Sequence, residues 1–117
     1  MYDTAKSINH RMERIFMTLK YSPGKNWEKG KPISEQDLHS HRKYHQELLE
    51  KGKILLGGAF IKSDEGINIL KVYNHKEAEA LAENDPAVKD KILQVEIEPL
   101  YMVFKSMDSE QLDMKEM

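Results

Sequence analysis

Residues 39–45, His-Ser-His-Arg-Lys-Tyr-His, carry His39, His41 and His45 within two helical turns. Imidazole is the side chain best suited to moving protons near neutral pH. At about 100° per residue, Tyr44, Leu48, His41, His45, Leu38 and Leu49 fall within one arc of a helix, with His41 and His45 at its middle. His39 falls on the polar side beside Gln46, Glu50 and Lys43, while His10 and His75 sit in an arm and at a helix start, and these three read as surface residues. Two readings of His41 and His45 stand side by side. Either the imidazoles are packed against a sheet and hydrogen-bonded, as buried polar groups are. Or one of them lines a pocket, where a nearby carboxylate holds its tautomer and makes it an acid or base. Asp85 is the candidate carboxylate, although an Asp before Pro86 is equally explained as a helix cap.

The His41–His45 spacing also suits two metal ligands on one helical face, with a carboxylate completing a facial triad. No third ligand is marked by spacing, so no metal and no other cofactor is expected. Gly57-Gly58 lacks the following Lys-Ser/Thr of a phosphate loop, and a close backbone approach or a bulge within a strand explains the pair better. Lys25, Lys29 and Lys31 around Trp27 could meet an anionic substrate or form a solvated charge run. No G-x-S-x-G element supports serine-based hydrolysis. The absence of cysteine excludes a disulfide scaffold, a thiolate zinc site and a cysteine nucleophile.

What positions these groups must fit in 117 residues, one domain's worth of chain. Eighteen basic residues against twenty acidic ones, a formal net charge of -2, provide no field to hold a nucleic acid. The longest apolar stretch, Ile54 to Ile61, includes two glycines and is far short of the roughly 20 residues that span a bilayer. Neither nucleic acid nor a membrane is therefore expected as a partner, and a cytoplasmic location fits the lack of cysteine.

Residues 1–13 and 105–117 read as an N-terminal arm and a C-terminal tail around a domain over 14–104. Arg14 to Tyr21 alternates with the two-residue period of a strand. Ser22 to Ile33, containing Trp27, is long for a connection and could form a lid. Ser34 with Asp37 resembles a capping box for a helix to about Lys51, stopped by Gly52. Strands are expected over Lys53–Ile61 and Ile67–Tyr73, joined by the turn Ser63-Asp64-Glu65-Gly66. Asn74 with Glu77 caps a second helix carrying Ala78, Leu81 and Ala82 on one side, and Asp85-Pro86 opens a short helical turn. A last strand runs from Leu93 to about Phe104, which Pro99 must bend or leave at an edge. The order β, α, β, β, α, β is that of an α+β, ferredoxin-like fold with a four-stranded antiparallel sheet. Two helices cover only one face, yet Phe16, Leu55, Leu70, Val72, Leu100 and Met102 make the other face apolar too, so a homodimer is expected.

Several segments together resemble the YCII-related family of the dimeric α+β barrel superfamily. They are Tyr21-Ser22-Pro23-Gly24 followed by Trp27, then Leu38-x-x-His41-x-x-Tyr44-x-x-x-Leu48 leading to residues 52–58 (Gly-Lys-Ile-Leu-Leu-Gly-Gly), then Ile67 to Leu70, and finally residues 80–88 (Ala-Leu-Ala-Glu-Asn-Asp-Pro-Ala-Val). Their order and spacing, over residues 14–104, carry the likeness. It implies a ferredoxin-like protomer, a dimer whose sheets pack together, and an active-site pair of one His on the first helix and one Asp before Pro, here His41 and Asp85. Ala59 stands where relatives commonly have a proline, and His45 matches no position of the family pattern. Those relatives that resemble enzymes act on small cyclic or aromatic substrates, including by elimination.

The expected function is accordingly that of a small-molecule enzyme in which His41 moves a proton and Asp85 supports it, in elimination or isomerisation of a cyclic, aromatic or carbonyl compound. Trp27 and Tyr44 would shape the pocket, the backbone at Gly57 and Gly58 would stabilise an oxyanion, and His45 would stand behind the pair. A metabolite-binding module without turnover, or a plain dimerisation unit, is the alternative.

Overall fold

β1 (Ile15–Pro23) takes the inner position of a four-stranded antiparallel sheet because residues on both of its faces are buried. The computed structural model describes residues 14–104, and the two expected arms lie outside the described residues. After β1 the chain forms a single 3-10 turn (Ile33–Glu35), α1 (His39–Glu50), β2 (Ile54–Ala59), β3 (Gly66–Val72), α2 (His75–Glu83), the one-turn α3 (Pro86–Lys89) and β4 (Leu93–Leu100). The sheet order β2-β3-β1-β4 leaves β2 and β4 at the edges. This is an α+β, ferredoxin-like fold, and Pro99 sits in an edge strand, where a missing N–H costs least.

The register assigns the faces. Met17 pairs with Leu70, Ile15 with Val72, and Leu19 with Asn68 and Ile97. The apolar ones join Leu38 and Leu48 beside α1, Ala78 and Ala82 of α2, and Ala87 of α3 in one core. Ala78 and Ala82, four apart and without bulk, let α2 lie close to the sheet. Leu70 and Val72 therefore belong to the helix-covered face, which corrects the sequence-based expectation that they line the open one. The open face carries Phe16, Thr18 and Lys20 opposite Lys71, Ile69 and Ile67. In the run Ile67-Asn68-Ile69-Leu70-Lys71-Val72 both phases hold apolar residues, so hydrophobicity alone does not choose between them. Pairing with β1 does.

Capping behaves as expected at two helices and not at the third. Asn74 accepts from the Glu77 N–H at 2.8 Å, and Asp85 accepts from the Ala87 N–H at 2.9 Å with Pro86 in the first helical position. Gly52 ends α1 with a φ of 75°, the left-handed conformation that favours glycine. The expected start at Ser34 fails: α1 begins at His39, and Leu38 precedes it without a side-chain cap. The cause is Gln36, buried and extended. Its amide donates to the carbonyls of Glu28 (2.9 Å) and Lys31 (3.0 Å) and accepts from the Glu28 N–H (2.9 Å).

Those bonds close the long connection on itself, while Trp27 is buried in the core and Gly24 N–H donates to the Ile92 carbonyl at 2.8 Å. The expected lid is thus a loop pinned at three points. The last strand also stops earlier than expected, at Leu100, and Tyr101–Phe104 carries no strand. Among the described residues, no helix is long and apolar enough to cross a membrane.

Candidate functional site

α1 lies over the sheet with Leu48 buried, and this side of the helix aims His41 and His45 at the start of α3. There Asp85, with none of its surface exposed, receives both of them on one oxygen. His41 Nδ1 and His45 Nε2 each lie 2.7 Å from Asp85 Oδ2. The carboxylate's other oxygen accepts the Ala87 N–H. Capping and pairing with histidine, weighed as alternatives from sequence, are therefore performed by the same carboxylate with different oxygens.

Burial alone would raise the Asp85 pKa. Hydrogen bonds from His41 and His45, the His41 charge and the Ala87 N–H outweigh it, and the group sits at about 2. An ionised carboxylate only accepts, so both imidazoles donate to it. His41 accordingly carries its proton on Nδ1. Its Nε2 has no hydrogen-bond partner among the described residues, yet no buried side-chain nitrogen or oxygen there lacks one, so Nε2 is open to solvent. His45 differs: Asn68 Nδ2 of β3 lies 2.5 Å from its Nδ1, and both of its nitrogens are engaged. The Tyr21 hydroxyl stands 3.3 Å from His45 Nε2. Burial, and then the Asp85 charge, push the Tyr21 phenol well above its usual range, so it remains protonated.

In front of the imidazoles, between α1 and the edge strand β2, lies a cleft of about 510 Å³, within the size range of small-molecule sites. His41, His45, Arg42, Gln46 and Leu49 form its helical wall, and Gly57, Gly58 and Ala59 the strand wall. Ile33, Leu38, Ile54 and Leu93 add apolar surface. Asp85 is not on the wall but beneath the histidines, so it acts on a ligand only through them. Trp27 and Tyr44 are not brought to the cleft. Trp27 is core, and the Tyr44 hydroxyl is spent on the Leu81 carbonyl at 2.8 Å. Their place is taken by Ile33 and by Tyr21.

Sequence reasoning missed Asn68 and Tyr21. The signal for Asn68 was a lone amide within an apolar strand, and for Tyr21 a polar tip on the inward phase shared with Met17 and Leu19.

His41, His45 and Asp85 also offer three ligand atoms within 4.8 Å of one another, a donor set suited to a divalent cation. Contacts of 2.7 Å to one shared oxygen are hydrogen bonds, however, and they engage His41 Nδ1 and His45 Nε2. Purified without a histidine tag, the protein is expected to melt at the same temperature with and without a chelator. A chelator-induced drop would show that a cation replaces the two protons.

A model of the YCII-related domain matches residues 15–100, most of the chain. No curated protein matches it.

Proposed function

The chain belongs to the YCII-related family, and we propose that within it this protein is a small-molecule enzyme in which His41 transfers a proton, in an elimination or isomerisation. One observation carries the reading: the His41 Nδ1–H is held by the buried Asp85 at 2.7 Å, while His41 Nε2, without a partner among the described residues, stands at the wall of a ligand-sized cleft. A neutral imidazole so fixed presents a lone pair on Nε2, the arrangement a general base needs, and returns the proton as a general acid. The mixed lining favours a compact ring with a polar group, meaning a cyclic, aromatic or carbonyl compound. Leu38, Leu49, Ile54 and Leu93 face its body, and the edge backbone at Gly57 and Gly58 faces its oxygen.

A thermal-shift screen of small aromatic, lactone and keto-acid compounds tests this. A ligand present at 100 times its Kd adds about 2.7 kcal/mol of stability. It is also expected to move the His41 ring signals in an NMR spectrum. Hits that stabilise the protein but leave His41 untouched would refute the site.

We also propose that the protein works as a homodimer in the cytoplasm, the location resting on the absence of cysteine. The open face of the sheet, with Phe16, Ile67, Ile69 and Leu100 along β1, β3 and β4, supports a second copy packing against it. Light scattering is expected to give twice the 13.7 kDa chain mass, and Ile69→Lys to shift it towards one chain. A wild-type monomer at micromolar concentration would remove the dimer.

A further inference from the structure

His45 stands at the end of a chain of contacts that starts on the opposite wall of the cleft. Its Nδ1 faces the Asn68 amide nitrogen at 2.5 Å, and an amide nitrogen only donates. Nδ1 therefore carries no proton, and the ring proton is on Nε2, donated to Asp85. Asn68 reaches His45 across the position of Gly57, its register partner on β2. A methyl group at Gly57 would lie 1.8 Å from Asn68 Oδ1 and 2.8 Å from its Cγ. The nearest backbone atom, the Ile67 carbonyl oxygen, would be 3.2 Å away. Such a methyl collides chiefly with the end of one side chain, so the amide turns aside and the strand stays. The juxtaposition itself depends on the irregularity between Ile54 and Leu56, which brings Leu56 opposite Ile69 and Gly57 opposite Asn68. A regular ladder continuing from the Ile54–Leu70 pair would set Leu56 against Asn68.

We infer that Gly57 and Asn68 are positioning residues for the imidazole pair: the space at Gly57 admits the Asn68 amide, which locks His45 in the Nε2–H tautomer. With His45 locked, both rings are pinned on Asp85, and His41 Nε2 is the one nitrogen of the pair left for a ligand. Without the amide, only the Asp85 contact opposes the form with the proton on Nδ1, in which a lone pair of His45 faces the carboxylate. Repulsion then moves the ring, whose centroid is only 4.1 Å from that of His41. The functional meaning of this device rests on the proton-transfer reading of His41, but the tautomers are measurable without any substrate.

Long-range proton–nitrogen correlation spectra of the full ¹⁵N-labelled chain at neutral pH separate the tautomers. The wild type is expected to show His45 protonated at Nε2 and His41 at Nδ1. Gly57→Ala and Asn68→Ala are each expected to keep the backbone spectrum while His45 becomes a mixture of tautomers. Gly58→Ala, where an added methyl meets nothing within 4 Å, is expected to keep the wild-type tautomer pattern. A proton on Nδ1 of His45 in the wild type would overturn the inference, because the amide would then present its oxygen. A wild-type tautomer pattern in Gly57→Ala would also overturn it. Fixed tautomers in a chain that turns over no compound would count against the proton-transfer reading alone and leave the positioning role standing.

Discussion

His41→Asn is expected to lower turnover of any substrate found for the cleft by about 10²- to 10⁴-fold, the usual contribution of a positioned acid or base. The melting temperature is expected to stay within a few degrees of wild type. Asn is the control the geometry selects, because His41 meets Asp85 through Nδ1. The Asn side-chain nitrogen falls near the place of Nδ1, so the hydrogen bond to the carboxylate is kept while the lone pair on Nε2 disappears. Gln, which resembles the Nε2 end of the ring, would put its amide in the cleft and leave Asp85 one donor short. Binding of the same compound should change little, since His41 supplies only a small part of the cleft wall. A fall in kcat with KM preserved is therefore the signature. Unchanged turnover in His41→Asn would end the proton-transfer reading, and a ligand that binds with no turnover in either protein would make the cleft a metabolite-binding site.

The readable parts of this protein were those where one local cause decides the outcome. Asn74 and Asp85 cap their helices because a short polar side chain just before an apolar-periodic run has an N–H within reach, whatever else that side chain meets. The two histidines were placed on the inward arc by helical geometry alone, and Asp85 meets them across the fold. Ser34 failed as a cap because Gln36, two residues on, is recruited by Glu28 and Lys31 across a loop whose closure no periodicity reports. Trp27 was assigned to the cleft and Ile33 overlooked for the same reason, since an irregular segment gives no phase from which to tell inward from outward. The faces of β3 and the role of Asn68 needed the register, which the irregularity near Leu55 shifts by one residue. His45 illustrates the boundary well. Its direction followed from the helix, while the saturation of both its nitrogens depended on a strand 23 residues away.

Asp85→Ala is expected to have the largest effect on stability, because three donors lose their acceptor together. The cap on α3 is worth about 1 kcal/mol. The His41 and His45 N–H groups, left facing a methyl in a site with no exposed surface at Asp85, cost about 1 to 3 kcal/mol each unless the rings turn to solvent. Even the low end of that sum, about 3 kcal/mol, would lower the melting temperature by roughly 10 °C or more for a domain of this size. Asp85→Asn separates the two duties. Its oxygen can still cap Ala87, but its NH₂ group now faces two ring nitrogens that were donors. His41 must then move its proton to Nε2, so turnover should fall as in His41→Asn while less stability is lost. Acid titration gives an independent check. The Asp85 pKa is lowered from 3.8 to about 2, because the histidine hydrogen bonds outweigh burial. A folded-state value below the unfolded one means stabilisation that is complete above about pH 4 and disappears as pH falls through about 2, worth about 2 kcal/mol. Urea midpoints of wild type and Asp85→Asn should therefore differ at about pH 4 and converge as pH falls through about 2. A gap that persists undiminished to pH 2 would mean that the negative charge on Asp85 does not hold the two imidazoles in place.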